Sequence, residues 1–249
     1  MDTPLKKPFL KRFWWIAIVI FLIGVGGVFV WKMDKGTSGP PELTANFIDT
    51  SKVEKISKFR SCQGHVVVPQ DESERLRNMK HYLMLKPEYK GKQVEVYAPF
   101  DGEIMSIFSN PSQGLEGEMW LGQKGSDWNA SFEHLVPLDT LSEGDKVKAG
   151  ELIGHVATNG IDLVYATAGA GTKIIDGYES PFGALDSIFN HMSDEAFNQY
   201  ISDNIKTRSD LSYTKEYRDA NPCKLETANG AQAAQLNDHD HPEDWIIIN

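Results

Sequence analysis

The run Phe13–Trp31, FWWIAIVIFLIGVGGVFVW, contains no charged residue. At about 1.5 Å of rise per residue, a helix of this run crosses a bilayer core of roughly 30 Å. Trp14, Trp15 and Trp31 stand at its ends, where indole rings favour the lipid–water boundary. A helix in a soluble core is apolar along one stripe, and rarely on every face over such a length. The expectation is a transmembrane helix over 13–31 with the lipid bilayer as its partner. A cleaved signal peptide is the rival, and Lys6, Lys7, Lys11 and Arg12 would suit one. Against it, the run is longer than a signal core, and Lys32, Met33 and Asp34 follow it instead of a small-x-small site. No cysteine follows at that point, which excludes a lipoprotein anchor. Four basic residues precede the run, and only Lys32 and Lys35 follow closely. The positive-inside rule then puts residues 1–12 in the cytoplasm and the rest outside the cell membrane, as a single-pass protein.

Past residue 35 the chain holds 19 basic and 33 acidic residues, a net charge of −14. A surface of that sign repels nucleic acid, so no nucleic-acid partner is expected. Cys62 and Cys223 are the two cysteines. Outside the cytoplasm they are expected to form a disulfide, though two buried thiols are the alternative. Closing so long a loop is worth roughly 4–5 kcal/mol in the chain-entropy model.

Composition changes along the chain suggest its organisation. Residues 32–52 begin with the Gly-, Pro- and Ser-rich KMDKGTSGPPELTA and read as an extended linker. DESERLRNMK at 71–80 reads as a helix capped by Asp71. From about 93 to 168, short runs rich in Val, Ile, Tyr and Phe alternate with Gly, Asp, Asn and Pro, the pattern of short antiparallel strands. Residues 53–175 are therefore expected to form a mainly β domain. Residues 176–249 read as a helical extension: Ser180-Pro181 starts one helix carrying Phe182, Leu185, Ile188 and Phe189, and Ser193 caps a second. A polar loop follows, and DWIIIN adds a terminal strand.

Two stretches carry specific motifs, VYAPFDGEI at 96–104 and FEHLVPLDTLSEGDKVKAGELIGHVATNGIDLVYA at 132–166. "DG" before alternating residues suggests a tight hairpin. "EGDKVKAGELIG" suggests a turn, a short strand, a turn at Ala149-Gly150 and a second strand. Over roughly residues 79–168 this order resembles the lysostaphin/LytM-type zinc metallopeptidases of cell-wall remodelling, in which an AP-x-DG hairpin precedes an HL strand, a GD-V-x-x-G turn and a His-x-His strand. The resemblance implies a LytM-like antiparallel β-sheet or hybrid barrel, here with added C-terminal helices and a preceding transmembrane helix.

It also implies a site. The family takes zinc from an early His and Asp and the first His of the His-x-His strand. The HL histidine and the second His of that strand act on water and substrate. Zinc needs three protein ligands and an open position to ionise its water near neutral pH. His134 in FEHL stands at the HL position, as the catalytic candidate, and His81 at the first ligand position. Leu85 stands where the family has its Asp, while Asp162 and Val164 replace the two histidines of the strand. Valine neither binds a metal nor moves a proton, so the ordinary hydrolase mechanism is not expected. An altered zinc set from His65, His81 and Asp162 is the alternative, and otherwise no cofactor is expected. His155 reads as a hairpin or surface residue, and His239 and His241 as part of a polar loop.

Three functions fit these residues. The first is a non-catalytic module that binds cell-wall peptidoglycan or an envelope protein, with Trp120 or Trp128 lining its groove. The second is an active zinc peptidase with an altered site. The third is an envelope adaptor like the membrane-fusion proteins, which the lack of a heptad run disfavours.

Overall fold

Alternation of apolar and polar residues with period two gives each strand a core face and an outer face. The computed structural model describes residues 39–109, 117–226, 235–237 and 241–248. The strands are β1 (Val53–Ser57), β2 (His81–Leu85), β3 (Glu95–Tyr97), β4 (Gly102–Ser109), β5 (Gly117–Gly122), β6 (Trp128–Pro137), β7 (Lys146–Val147), β8 (Leu152–Val156), β9 (Gly160–Ile175), β10 (Tyr178–Leu185), β11 (Leu225–Glu226), β12 (Gln235–Leu236) and β13 (Trp245–Ile247). The main sheet runs β13-β1-β2-β9-β6-β5-β4-β7, with β10 beside β9 and with β8 beside both β3 and β6. Every pair in it is antiparallel. The expected tail 1–12 and transmembrane helix 13–31 lie outside the described residues. Among the described residues no helix is long and apolar enough to cross a membrane.

One face of the central strands carries Leu83, Met119, Phe132, Leu163 and Tyr165. These pack with Leu43, Phe47, Ile48, Phe189 and Tyr200 into the main core. The opposite face carries Val164 and Ala166, which pack beneath Phe59, Val66, Val67, Val68 and Met79 in a second apolar cluster. Cys62 and Cys223 belong to that cluster and are joined by a disulfide. The segment between β1 and β2 is therefore pinned over the outer face of the sheet.

Several expectations are corrected. The linker expected over 32–52 is packed from Leu43 onward: Leu43, Phe47 and Ile48 are fully buried, and Leu43 bridges to Met192. The apolar residues among its Gly and Pro carry the chain into the core. No helix forms at 71–80. Asp71 accepts hydrogen bonds from the Ser73 amide and hydroxyl in a turn, and Glu74, Arg77 and Asn78 are consumed by buried polar contacts. Ser180-Pro181 lies in β10, not at a helix start. The Ser180 hydroxyl donates to the Val68 carbonyl, while Phe182 and Leu185 pair with Ala168 and Ala166 of β9. Neighbouring β9 offers an edge, and sheet pairing overrides the local helical spacing. Of the expected C-terminal helices, the stretch at Ser193 is short, Asp194–Phe197, with the Ser193 side chain accepting from the Ala196 amide. A second short helix is Lys215–Ala220.

Asp101-Gly102 does not close a hairpin either. β3 pairs with β8 and β4 with β5 and β7. Asp101 instead accepts from the Ala149 amide (2.9 Å) and the Lys148 ammonium (2.8 Å), which ties the two motif loops together. A side chain on Gly102 would stand 2.7 Å from the Gly122 carbonyl, so only glycine fits there. The turn at Ala149-Gly150 forms as expected, with Gly150 at φ +81°. The terminal DWIIIN segment supplies β13, where Ile246 faces Ile56 of β1.

Candidate functional site

Lys80 and His81 adjoin in sequence and take opposite faces of the sheet. His81 faces Leu163 across the β2–β9 pair, and Tyr82 faces Asp162. Residues directly opposite in an antiparallel pair share a face, so His81 belongs to the core and Tyr82 to the outer side with Asp162. Accordingly His81 is buried, with Nδ1 2.8 Å from the Ser57 carbonyl and Nε2 2.8 Å from the Ser187 hydroxyl. Phe59 and Phe189 flank its ring. Burial pushes its pKa down to about 4. Both nitrogens are engaged on the wrong side of the sheet, and the expectation of His81 as a metal ligand is corrected. Leu85 is core as well.

The residue that enters the site is Lys80, only 2 % exposed. Its ammonium lies 2.8 Å from Glu133 Oε2, 2.9 Å from Asp162 Oδ2 and 3.5 Å from His65 Nε2. His65 Nδ1 lies 3.2 Å from the Val66 carbonyl, an obligate acceptor, so Nδ1 carries the proton and Nε2 accepts. Three acceptors therefore surround one three-donor cation. Burial alone would lower the Lys80 pKa, but Tyr82, Asp162 and Glu133 outweigh it and raise it. The same burial lowers His65, helped by the nearby Lys80 charge, so His65 stays neutral at neutral pH.

His134 joins from a β-bulge. Gly117 faces Leu135 while Glu118 faces Glu133, so His134 is the extra residue, at φ +62°. A bulge redirects a side chain that strict alternation would turn away. It brings His134 Nε2 to 3.4 Å from Asp162 Oδ2, and ligand atoms of Glu133, His134 and Asp162 all lie within 4.8 Å of one another. The His134 side chain is nearly half exposed, whereas Asp162 is buried. Glu118 borders the cluster, accepting from the Ser131 hydroxyl at 2.8 Å, and burial raises its pKa.

Of the residues expected in the site, His65, His134 and Asp162 are brought together and His81 is not. Lys80, Glu133 and the bordering Glu118 were missed. Alternation around His81 was the available signal for Lys80, because one step in register exchanges the faces. Val164, in the second His position of the strand, is buried in the second apolar cluster. The residues present do not fit the family's zinc ion. The place among His65, Glu133 and Asp162 is filled by a buried ammonium, and the expected early ligand points into the core.

Further along the same face lies a pocket of about 270 Å³ lined by Met105, Trp120, Asn129, Pro181 and Phe182 among others. Trp128, the other expected groove residue, instead stacks on Tyr165, 5.2 Å between centroids, against the main core. His241 pairs with Glu243 at 3.0 Å, and neighbouring Asp244 is bound to Arg218.

No curated protein matches the chain by sequence. Solved structures with partial similarity include Helicobacter pylori Csd3, with TM-score 0.36 and 14 % identity over 54 % of this chain and 34 % of that one. A zinc-containing peptidase from Vibrio cholerae is similar with TM-score 0.36 and 16 % identity, over 51 % and 37 % of the two chains. The catalytic domain of lysostaphin from Staphylococcus simulans gives TM-score 0.32 and 15 % identity, over 46 % and 80 %. The present chain thus spans about a third of the length of the first two. The description "Peptidase family M23" matches residues 84–172. That matched segment, 84–172, contains the HL and GD-V-x-x-G motifs and is the part of the chain that is similar to peptidase family M23, the lysostaphin/LytM-type peptidases.

Proposed function

We propose that this chain is a membrane-anchored, extracytoplasmic M23-type domain without hydrolase activity, which binds cell-wall glycopeptide or an envelope protein. The observation that carries the reading is the Lys80 ammonium, 2.8 and 2.9 Å from Glu133 and Asp162. A fixed ammonium already occupies the place between the carboxylates where a metal ion and its bound water would have to sit. The cover over the sheet supports it too, since Ser131, Val164 and Ala166 are almost fully buried. What stays open is the pocket beside Trp120 and Phe182, whose aromatic faces suit the apolar side of a sugar ring or a partner's side chain. The anchor and its orientation rest on the uncharged run 13–31 and its basic N-terminal flank.

The competing reading is an active peptidase, favoured by one observation, His134 within 3.4 Å of Asp162. The two separate in one experiment: full-length protein in detergent is mixed with purified cell-wall sacculi. Sedimentation with the sacculi, weakened about tenfold by Trp120→Ala and without release of soluble peptide, is the expected result. If the protein does not sediment, cross-linking in the native membrane should instead capture an envelope protein. Release of fragments that is lost in His134→Ala would establish the peptidase.

A further inference from the structure

Resting on the reading above, we propose that the Lys80 ammonium is the resident cation of this site, and that removing it opens a divalent-metal site on Glu133, His134 and Asp162, whose ligand atoms all lie within 4.8 Å of one another. The geometry is that of a coordinated cation. Three N–H groups meet two carboxylate oxygens and one imidazole nitrogen, at 2.8, 2.9 and 3.5 Å. The Tyr82 ring lies 5.0 Å from the same ammonium. Lys80 comes from the segment just before β2, held by its amide donating to Asn78 Oδ1 at 2.8 Å.

Charge makes the same point. Two carboxylates and one ammonium leave the cluster with one net negative charge, whereas two carboxylates and a divalent ion are neutral. Without Lys80 the carboxylates of Asp162 and Glu133 would share a largely buried site with no counter-ion, which is unstable unless a proton or a metal replaces it. One imidazole and two carboxylates form a donor set that zinc accepts. His134 Nε2 stands 3.4 Å from Asp162, and His65, 3.5 Å from the ammonium, is the candidate fourth ligand. The ligands would draw in by about an ångström to reach zinc distances of roughly 2.0–2.2 Å. Glu133 and His134, both partly exposed, have room to move.

The test uses full-length protein in detergent and zinc chloride as the probe, reading retained zinc after dialysis and the thermal midpoint. Wild type is expected to retain no zinc and show no zinc-dependent midpoint. Lys80→Met should retain one zinc per chain, and its midpoint should rise by about 5 °C or more in zinc. Adding Asp162→Asn to it should abolish both effects. Lys80→Gln serves as the second variant, and a variant that folds only with zinc supports the inference. One zinc in wild type, lost in Asp162→Asn, would overturn it. So would Met and Gln variants that take up no zinc, or that stay unfolded in its presence. Peptide release by metal-free wild type would break only the non-hydrolytic reading.

Discussion

Lys80 and Arg218 are both almost fully buried cations, and the protein surrounds them differently. Arg218 donates to Asp244 (3.0 Å), the Arg60 carbonyl (2.7 Å), the Asn221 carbonyl (3.1 Å) and Cys62 Sγ (2.9 Å). It lies against the rings of Tyr213 and Tyr217. Asp244, wholly buried, also accepts from the Cys62 amide. The rigid guanidinium fork is used up by the protein itself and clamps helix 215–220, the disulfide and the start of β13 together. Lys80 is a compact charge with rotatable donors, and two residues beside it, Glu133 and His134, reach solvent. A closed cation fastens structure, while one whose neighbours reach solvent can answer to a ligand.

The contrast should appear first in stability. Asp244→Ala strands the Arg218 guanidinium, and a loss of about 3–5 kcal/mol is expected from urea denaturation. A loss under about 1 kcal/mol would mean that Arg218 is less closed than its contacts indicate. Next comes His81, the neighbour of Lys80 on the core face. Its folded pKa, about 4, lies below the ordinary 6.5, so the unfolded chain binds more protons between those values. Its contribution is therefore fully present above about pH 6.5 and is lost as pH falls toward 4, by at most about 3 kcal/mol. Urea midpoints at pH 7 and 4.5 should converge in His81→Gln. An unchanged pH slope would place the titration elsewhere. The smallest effect belongs to the open cluster. Glu133→Gln leaves Asp162 on Lys80, and Glu133 is partly exposed and screened, so a loss of about 1 kcal/mol is expected. A loss as large as that of Asp244→Ala would erase the contrast.

The strand-rich segment was legible because its turns are chemical. Ala149-Gly150 needs a positive φ, and the short apolar runs around it have strand length. The disulfide was legible from composition. Three features were hidden for physical reasons. The helix expected at 71–80 yields to ion pairs, Arg77 with Glu74 and Arg60 with Glu74, that local spacing does not reveal. Strand β10 carries helix-like spacing and is decided by the partner strand beside it. The site turned on one step of register. Motif distance pointed to His81, while the pleat sends Lys80 and Tyr82 to the outer side. Glu133 stood beside an expected residue, yet only the bulge at His134 lets both face Asp162.

The pairing of β1 with β13 has a kinetic side. β1 lies between β2 and β13, so residues 53–57 keep one unsatisfied edge until residues 245–247 have been synthesised and docked. Joining Ile56 to Ile246 is a very non-local contact, of the kind that closes late. Until it closes, the strand offers bare backbone donors and acceptors to any other extended chain, the usual template for edge-to-edge aggregation. Shielding of the nascent chain would matter most during that interval.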